Sequence, residues 1–496
     1  MPGYLHVATF STFGPVINID KYEVVIGLEV HTQLLTKSKL FSGDSASFGG
    51  APNTHVSPIT LAHPGTLPKM NKKAIEFAIK LGLALHCDIE QENYFARKNY
   101  FYPDLPKGYQ VSQHTTPICK NGFVKIKADN AERDIRLNRI HIEEDAGKSL
   151  HDVDENYTAI DLNRAGVPLL EIVSEPDLHS SDEAFAYLTE LRRLVRWLDI
   201  CDGNMEEGSM RCDANISIRL KGEQKLGTRV EVKNLNSIRN VKKAIEVEVT
   251  RLIEIVESGE KIIQETRSFD ADNNTTFSLR NKEEADDYRY FPDPDLTPFH
   301  ISDQFLQDVK KSLPALPEEL EKKYKEVYQL APYDAQVICS DKALVNYFEA
   351  VTKHTTNYKA AVNWLMGPVK SYLNDHNIEL AEFSLTPENV ADLIRLVDDG
   401  KVNFNIASTR IMMALLISPT KKALAIAQEL NLIQESNSNS VAAWVDEVIA
   451  KMPEKVKEYK SGKKGLIGLF AGEIKKLSKG KADMTVVNKL LAEKLN

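Results

Sequence analysis

The chain has 496 residues, enough for about three domains at roughly 150 residues each. Hydrophobic residues make up 42% and charged residues 27% of it, a balance that excludes wholesale disorder and collagen-like repeats. No run approaches the roughly 18 apolar residues of a membrane-spanning helix. Residues 1–20 hold neither Lys nor Arg, so they match no signal or transit peptide, and the cytoplasm is the default compartment.

The net charge of −9 is unevenly spread: residues 451–496 carry twelve Lys against five acids, a net +7 that leaves −16 elsewhere. A basic tail on an acidic body suits contact with a polyanion, although a solvated Lys-rich helical face accounts for the same charge. Five scattered cysteines (Cys87, Cys119, Cys201, Cys212 and Cys339) form no C-x-x-C pair, which argues against a disulfide framework or a Cys-rich zinc site.

In chain order, residues 22–34 alternate strictly. Val24, Ile26, Leu28 and Val30 oppose Glu23, Gly27, Glu29, His31 and Gln33, the signature of a strand with one buried face. Asn71 caps a helix over 72–85, and Ser180 with Glu183 forms a capping box for 181–198. Alternation returns at 213–220 and 229–233, so the sheet is predicted to be mainly antiparallel. Residues 286–298 are Pro-rich and irregular or extended. Beyond about 303 the pattern is helical, with a hinge-like Leu-Pro-Ala-Leu-Pro at 313–317, a helix opened by Thr386-Pro387 and closed by Gly400, and a polar linker at 433–441. The fold class is α+β in front and all-α behind.

Candidate chemistry lies in the front part. Glu29 and His31 project from one side of a strand, and both a shared divalent ion and a wetted sheet face fit that pair. Ile-His-Ile-Glu-Glu-Asp at 140–145 puts three carboxylates at a strand end. Glu171 sits inside an apolar run, and Glu206, Glu207 and Asp213 flank a Gly-containing turn. Buried carboxylates need a partner or a metal, and oxygen ligands with one His suit Mg2+ or Mn2+ better than zinc. Lys98, Lys107, Lys148, Arg164, Arg211 and Lys233 lie beside these acids; phosphoryl transfer and salt bridging both use cations so placed. Gly147-Lys148-Ser149 mimics the end of a P-loop, but Ile142 stands where the first glycine belongs. The aromatic segment 97–110 either packs under a site or stacks on a base, and its chemistry favours packing.

These residues closely resemble the B subunit of the aspartyl/glutamyl-tRNA amidotransferase family. The resemblance runs through Val-Ile-Gly-Leu-Glu-Val-His (25–31), His-Pro-Gly-Thr-Leu-Pro (63–68), Arg-Lys-Asn-Tyr-Phe-Tyr-Pro-Asp (97–104) and Glu-Glu-Asp-Ala-Gly-Lys-Ser (143–149). It continues in 161–169, 171–177, 205–217, Lys-Asn-Leu-Asn-Ser (233–237) and Tyr-Arg-Tyr-Phe-Pro-Asp-Pro-Asp (288–295), and covers about residue 22 to the C-terminus.

The resemblance implies ATP-dependent phosphorylation of the side-chain carboxylate of Glu-tRNA(Gln) or Asp-tRNA(Asn), then amidation by ammonia. A separate amidase subunit would supply the ammonia and a small third subunit would brace the heterotrimer. It implies a cradle domain at 22–300 behind an N-terminal extension (1–21), a helical linker (301–345), a helical domain (346–432) and a tRNA-binding tail (433–496). His31, Glu144 and Glu171 would be the principal Mg2+ ligands, with Glu29, Glu207 and Asp213 as candidates for a second metal. Lys98 and Lys107 would line an ammonia passage gated by Glu144. Lys148, Arg164, Arg211 and Lys233 would contact ATP phosphates, and Lys463, Lys464, Gly472, Lys475 and Lys476 would meet tRNA. Some members carry zinc-holding cysteines before the Pro-Gly turn; here Ser57 and Thr60 occur, so no zinc is expected. A non-catalytic tRNA-binding scaffold and an autonomous amide ligase are the alternatives.

Overall fold

A computed structural model describes residues 19–129, 131–281, 288–434, 438–478 and 481–495. Most of the N-terminal extension, and parts of the Pro-rich segment and the 433–441 linker, lie outside the described residues. The chain folds as two compact units, Met1–Leu316 and Pro317–Asn496, divided within the Leu-Pro-Ala-Leu-Pro segment.

The first unit is built on a ten-stranded sheet. Its centre holds β1 (Tyr22–Gln33), β2 (Ala131–Glu144), β3 (Pro168–Ser174), β4 (Met210–Leu220) and β5 (Val230–Leu235), in the spatial order β5-β4-β1-β3-β2. These neighbours all pair antiparallel; the strand Glu265–Asp270 beyond β5 runs parallel to it. The alternation read in β1, β4 and β5 sorts their residues between two faces. Ile26, Leu28, Val30, Ala214, Ile216, Val230 and Val232 are all fully buried on the face that packs against helices. That face is covered by α1 (Lys72–Ala84), α2 (Ser181–Trp197) and α3 (Ile238–Glu257).

Local signals explain where the helices begin. The Asn71 side chain accepts from the Lys73 N–H at the head of α1, and Ser180 accepts from the Glu183 N–H at the head of α2. The reciprocal bond of the α2 cap differs from the predicted box, because Glu183 accepts from the His179 N–H, one residue earlier. The first unit runs on past residue 300: Val309 of the helix Asp303–Lys311 is buried in the same core.

Among its described residues the second unit is helical throughout. Thr386 caps the helix Pro387–Asp398, and Gly400, at φ +67°, follows it with its N–H on the Val397 carbonyl. The helix Ser438–Lys451 begins inside the stretch read as linker. With Pro453–Lys460, Ile467–Leu477 and Met484–Leu495 it encloses a small core of Val441, Val445, Phe470, Ile474, Val487 and Leu491. No described helix is long and apolar enough to cross a membrane. All five cysteines are buried, packed as small hydrophobes.

Candidate active site

The sheet face away from the helices carries the charge. Register puts Glu171 of β3 opposite both His31 of β1 and His141 of β2, so a His–Glu–His row crosses three strands. Glu143 lies two residues along β2 from His141, on the same face. His31 Nε2 stands 3.4 Å from Glu171 Oε2 and 3.7 Å from Glu143 Oε1; His141 Nε2 stands 3.5 Å from Glu171 Oε2 and 3.6 Å from Glu143 Oε2. Ligand atoms of His31, Glu143 and Glu171 all fall within 4.8 Å of one another. Three donors thus converge at separations that leave room for an ion, with His141 beside two of them. Burial alone would lower the His31 pKa, but the Glu171 and Glu143 carboxylates raise it to about 9. Burial likewise opposes ionisation of Glu171, yet His141, His31 and Lys98 hold its carboxyl well below the usual range.

A second cluster lies along the same face. Glu29 pairs across the strands with Asp213, and Glu231 of β5 joins them, again with ligand atoms within 4.8 Å. Burial, and then the carboxylates of Glu171, Asp213 and Glu231, raise the Glu29 pKa, which an Asn215 hydrogen bond of 2.9 Å partly offsets. Lys233 bonds Asp213 and lies 3.2 Å from Glu231.

Two expected ligands fall elsewhere. Glu144 neighbours Glu143 on β2, and successive strand residues face opposite ways, so Glu144 leaves the metal face. Its carboxylate pairs with Lys107 and accepts from the Val111 N–H at 3.0 Å. It lines a separate cavity of about 560 Å³ with Lys39, Arg97, Lys107 and Asp145. Glu207 is exposed in the turn before β4, outside both clusters, and Glu231 takes the place expected for it.

The expected cations also divide. Half-buried Lys98, on the strand Ala96–Asn99, faces Glu143 and Glu171, whose charges keep it protonated although desolvation opposes this. Arg211, cross-strand from His31, donates to Asp145 Oδ2 at 2.7 Å, while its buried Nε has no hydrogen-bond partner among the described residues. Arg164 is committed to the chain: Nε donates to the Ala146 carbonyl at 2.9 Å and Nη2 to the Gly147 carbonyl at 2.6 Å. Lys148 is exposed on the hairpin Lys148–Leu150/Ala159–Asp161, opposite Asp161, so the Gly-Lys-Ser triplet forms no phosphate loop. A Cβ on Gly147 would lie 2.9 Å from the Asp104 and Asp161 carbonyl oxygens; this glycine serves close packing.

Sequence reasoning overlooked His141, Glu143 as a ligand, Glu231, Asp145 and Lys39. All but Lys39 stood in segments already singled out. Asp145 gathers Gln33 and Arg211, each at 2.7 Å, with Arg164 at 3.7 Å.

In the tail, Lys475 is exposed on the helix Ile467–Leu477, whereas Lys476 pairs with Glu473 at 2.6 Å and Lys463 with Glu458 at 3.1 Å. Lys464 lies over the Tyr459 ring at 4.3 Å, and Gly472 has open space around its Cα. Ser57 and Thr60 join a hydrogen-bonded knot: Asp44 accepts from the Ser57 N–H at 2.9 Å, from Ser42 at 3.0 Å and from Thr60.

Comparison with known proteins agrees with this architecture. The family model for the GatB/GatE catalytic domain matches residues 24–307, and that for the GatB domain matches 346–495. The B subunit of the aspartyl/glutamyl-tRNA(Asn/Gln) amidotransferase of Geotalea uraniireducens is 49% identical over 96% of this chain and 100% of its own length. The B subunits of the same enzyme from Rickettsia conorii and Thermodesulfovibrio yellowstonii are 48% and 46% identical, over 97% and 95% of this chain and 99% and 98% of theirs. The chain therefore belongs to the GatB family, the B subunits of aspartyl/glutamyl-tRNA(Asn/Gln) amidotransferases.

Proposed function

We propose that this chain is the ATP-dependent subunit of a glutamine-hydrolysing tRNA amidotransferase, a carbon–nitrogen ligase. It would phosphorylate the side-chain carboxylate of Glu-tRNA(Gln), Asp-tRNA(Asn) or both. A carboxylate oxygen attacks the γ-phosphorus and the bond to ADP breaks; ammonia then adds to the acyl carbon and phosphate leaves, giving the amide. The supporting observation is one sheet face that holds two acid-rich clusters with Lys98, Arg211 and Lys233 among them.

His31, Glu143 and Glu171 would hold one Mg2+ (or Mn2+), with His141 alongside, and Glu29, Asp213 and Glu231 a second. When bound, such ions neutralise charge on the transferring phosphoryl group. Arg211 adds fixed positive charge on the same face, Lys98 faces it from a separate three-stranded sheet, and Lys233 offsets the acids of the second cluster. A pocket of about 200 Å³ formed by Val25, Gly27, Leu28, Ser174, Leu226 and Gly227 opens beside Glu29, where the nucleoside of ATP would lie. The cavity on the Glu144 side would admit ammonia past Lys107 and Glu144. Partners in this reading are the amidase subunit, the small third subunit and the charged tRNA, in the cytoplasm. The knot around Asp44 supports a loop that needs no zinc.

A non-catalytic scaffold gives no reason to bury and converge His31, Glu143 and Glu171, so the enzyme reading is preferred. The test supplies the reconstituted heterotrimer with γ-32P-labelled ATP, Mg2+ and separately charged tRNAs, without an ammonia source. Release of phosphate that depends on Glu-tRNA(Gln) or Asp-tRNA(Asn) supports the reading and identifies the substrate; tRNA binding without such release supports the scaffold.

A further inference from the structure

Lys98 is half-buried, yet among the described residues it makes no ion pair within 4 Å. What surrounds its ammonium is aromatic: the Tyr288 ring centroid is 4.8 Å from Nζ and that of Tyr100 is 5.8 Å. The two rings lie 6.0 Å apart at 67°, and Tyr290 braces Tyr288 edge-on at 6.1 Å while stacking on His114 at 4.0 Å.

The strand that carries Lys98 also fixes these rings. The Asn99 N–H donates to the Tyr288 carbonyl at 2.9 Å, and Asn99 Nδ2 donates to the Arg289 carbonyl at 2.8 Å. Phe291 and Pro292 pair with Arg97 and Ala96. Arg97 then clamps Asp293 and Asp295, each at 2.8 Å. Ammonium and rings are thus held in one register, against the side of the sheet face that carries Glu143 and Glu171.

We propose that Tyr288 and Tyr100 are positioning residues whose ring faces hold the Lys98 ammonium against the cluster of Glu143 and Glu171, making residues 288–295 part of the catalytic apparatus as well as a cover. The proposal deepens the reading of that face as a phosphoryl-transfer site and rests on it. The attraction is between a cation and a ring quadrupole, so it must weaken as fluorine withdraws electron density while ring shape hardly changes.

The test is a series in the heterotrimer: Tyr288→Phe, then mono-, di- and trifluorophenylalanine at 288, each in wild-type and Lys98→Met backgrounds. The expected result is a stepwise fall in kcat for tRNA amidation, roughly two- to tenfold across the series, with KM for ATP and tRNA unchanged. In the Lys98→Met background the series should be flat. A second readout needs no turnover: acetic anhydride labelling of Lys98, read by mass spectrometry, should rise along the same series. A flat series in the wild-type background, or an equal slope with Lys98→Met, would overturn the proposal by reducing the rings to packing. If the unmodified complex shows no amidation, the functional reading fails separately, and a flat labelling series would still count against the positioning.

Discussion

Glu143 and Glu144 are consecutive residues of one strand, yet they serve two different spaces. The Glu143 carboxylate lies 3.7 Å from His31 Nε2 on the polar sheet face, while Glu144 pairs with Lys107 in the wall of a cavity on the other side. Strand alternation thus gives a single Glu-Glu dipeptide access to both the cluster of His31 and Glu171 and the cavity lined by Lys107.

Metal affinity should depend steeply on pH. In the metal-free chain His31 stays protonated up to about pH 9, and an ion must displace that proton. The apparent Kd for Mn2+, followed by electron paramagnetic resonance, should tighten by roughly tenfold per pH unit between pH 7 and 9 and level off above. A pH-independent Kd would show that His31 is not a ligand.

Without metal the same group should affect stability in the opposite sense. The folded-state pKa of His31, about 9, exceeds its ordinary value of 6.5, so its contribution is complete below about pH 6.5 and is lost as pH rises through 9. Urea midpoints measured in chelator should fall over that interval, and His31→Gln should remove this part of the fall.

Glu248 tests the fold apart from the site. Its fully buried carboxylate accepts from Arg251 Nε at 3.0 Å and from Thr276 Oγ at 2.8 Å, with Arg267 at 3.5 Å. Glu248→Ala removes one of two carboxylates that Arg251 and Arg267 share, Glu265 being the other, and should cost about 1–3 kcal/mol in denaturant unfolding. Loss of less than about 1 kcal/mol would mean that solvent reaches the pair.

The tail lysines should be unequal in tRNA binding. Lys476 and Lys463 are partly neutralised by Glu473 and Glu458, while Lys475 projects freely exposed. Lys475→Ala should weaken tRNA binding more than Lys476→Ala and reduce the salt slope by roughly one. Equal, salt-independent effects would place the tRNA elsewhere.

Much of the site was legible because alternation exposes which side chains share a face. Glu29 and His31 stand out on that ground, Glu171 as a carboxylate inside an apolar run and Asp213 beside a Gly-containing turn; His31 and Glu171 meet in one cluster, Glu29 and Asp213 in the other. The resemblance alone points to Glu144 over Glu143, and a dipeptide at a strand end has no assignable face until its partner's register is known. Glu231 alternated visibly in β5, but its partners Glu29 and Asp213 come from strands about 200 and 20 residues earlier, joined only by the sheet order. The phosphate-loop reading of Gly147-Lys148-Ser149 already fails in the sequence, because Ile142 stands where the first glycine belongs, and the hairpin that carries Lys148 agrees. Tyr288 is remote in sequence from Lys98, and no local pattern predicts that the strand Ala96–Asn99 will bind residues 288–292.

The most direct test of the account compares Glu143→Gln with Glu144→Gln in the reconstituted heterotrimer, measuring tRNA-dependent phosphate release without ammonia and amide formation with ammonium chloride. Glu143→Gln should lose both by about 10²–10³-fold, as expected when a metal-site carboxylate is removed. Glu144→Gln should keep tRNA-dependent phosphate release while losing amide formation. Full phosphate release by Glu143→Gln, or its loss in Glu144→Gln alone, would contradict the assignment of the two carboxylates to separate faces.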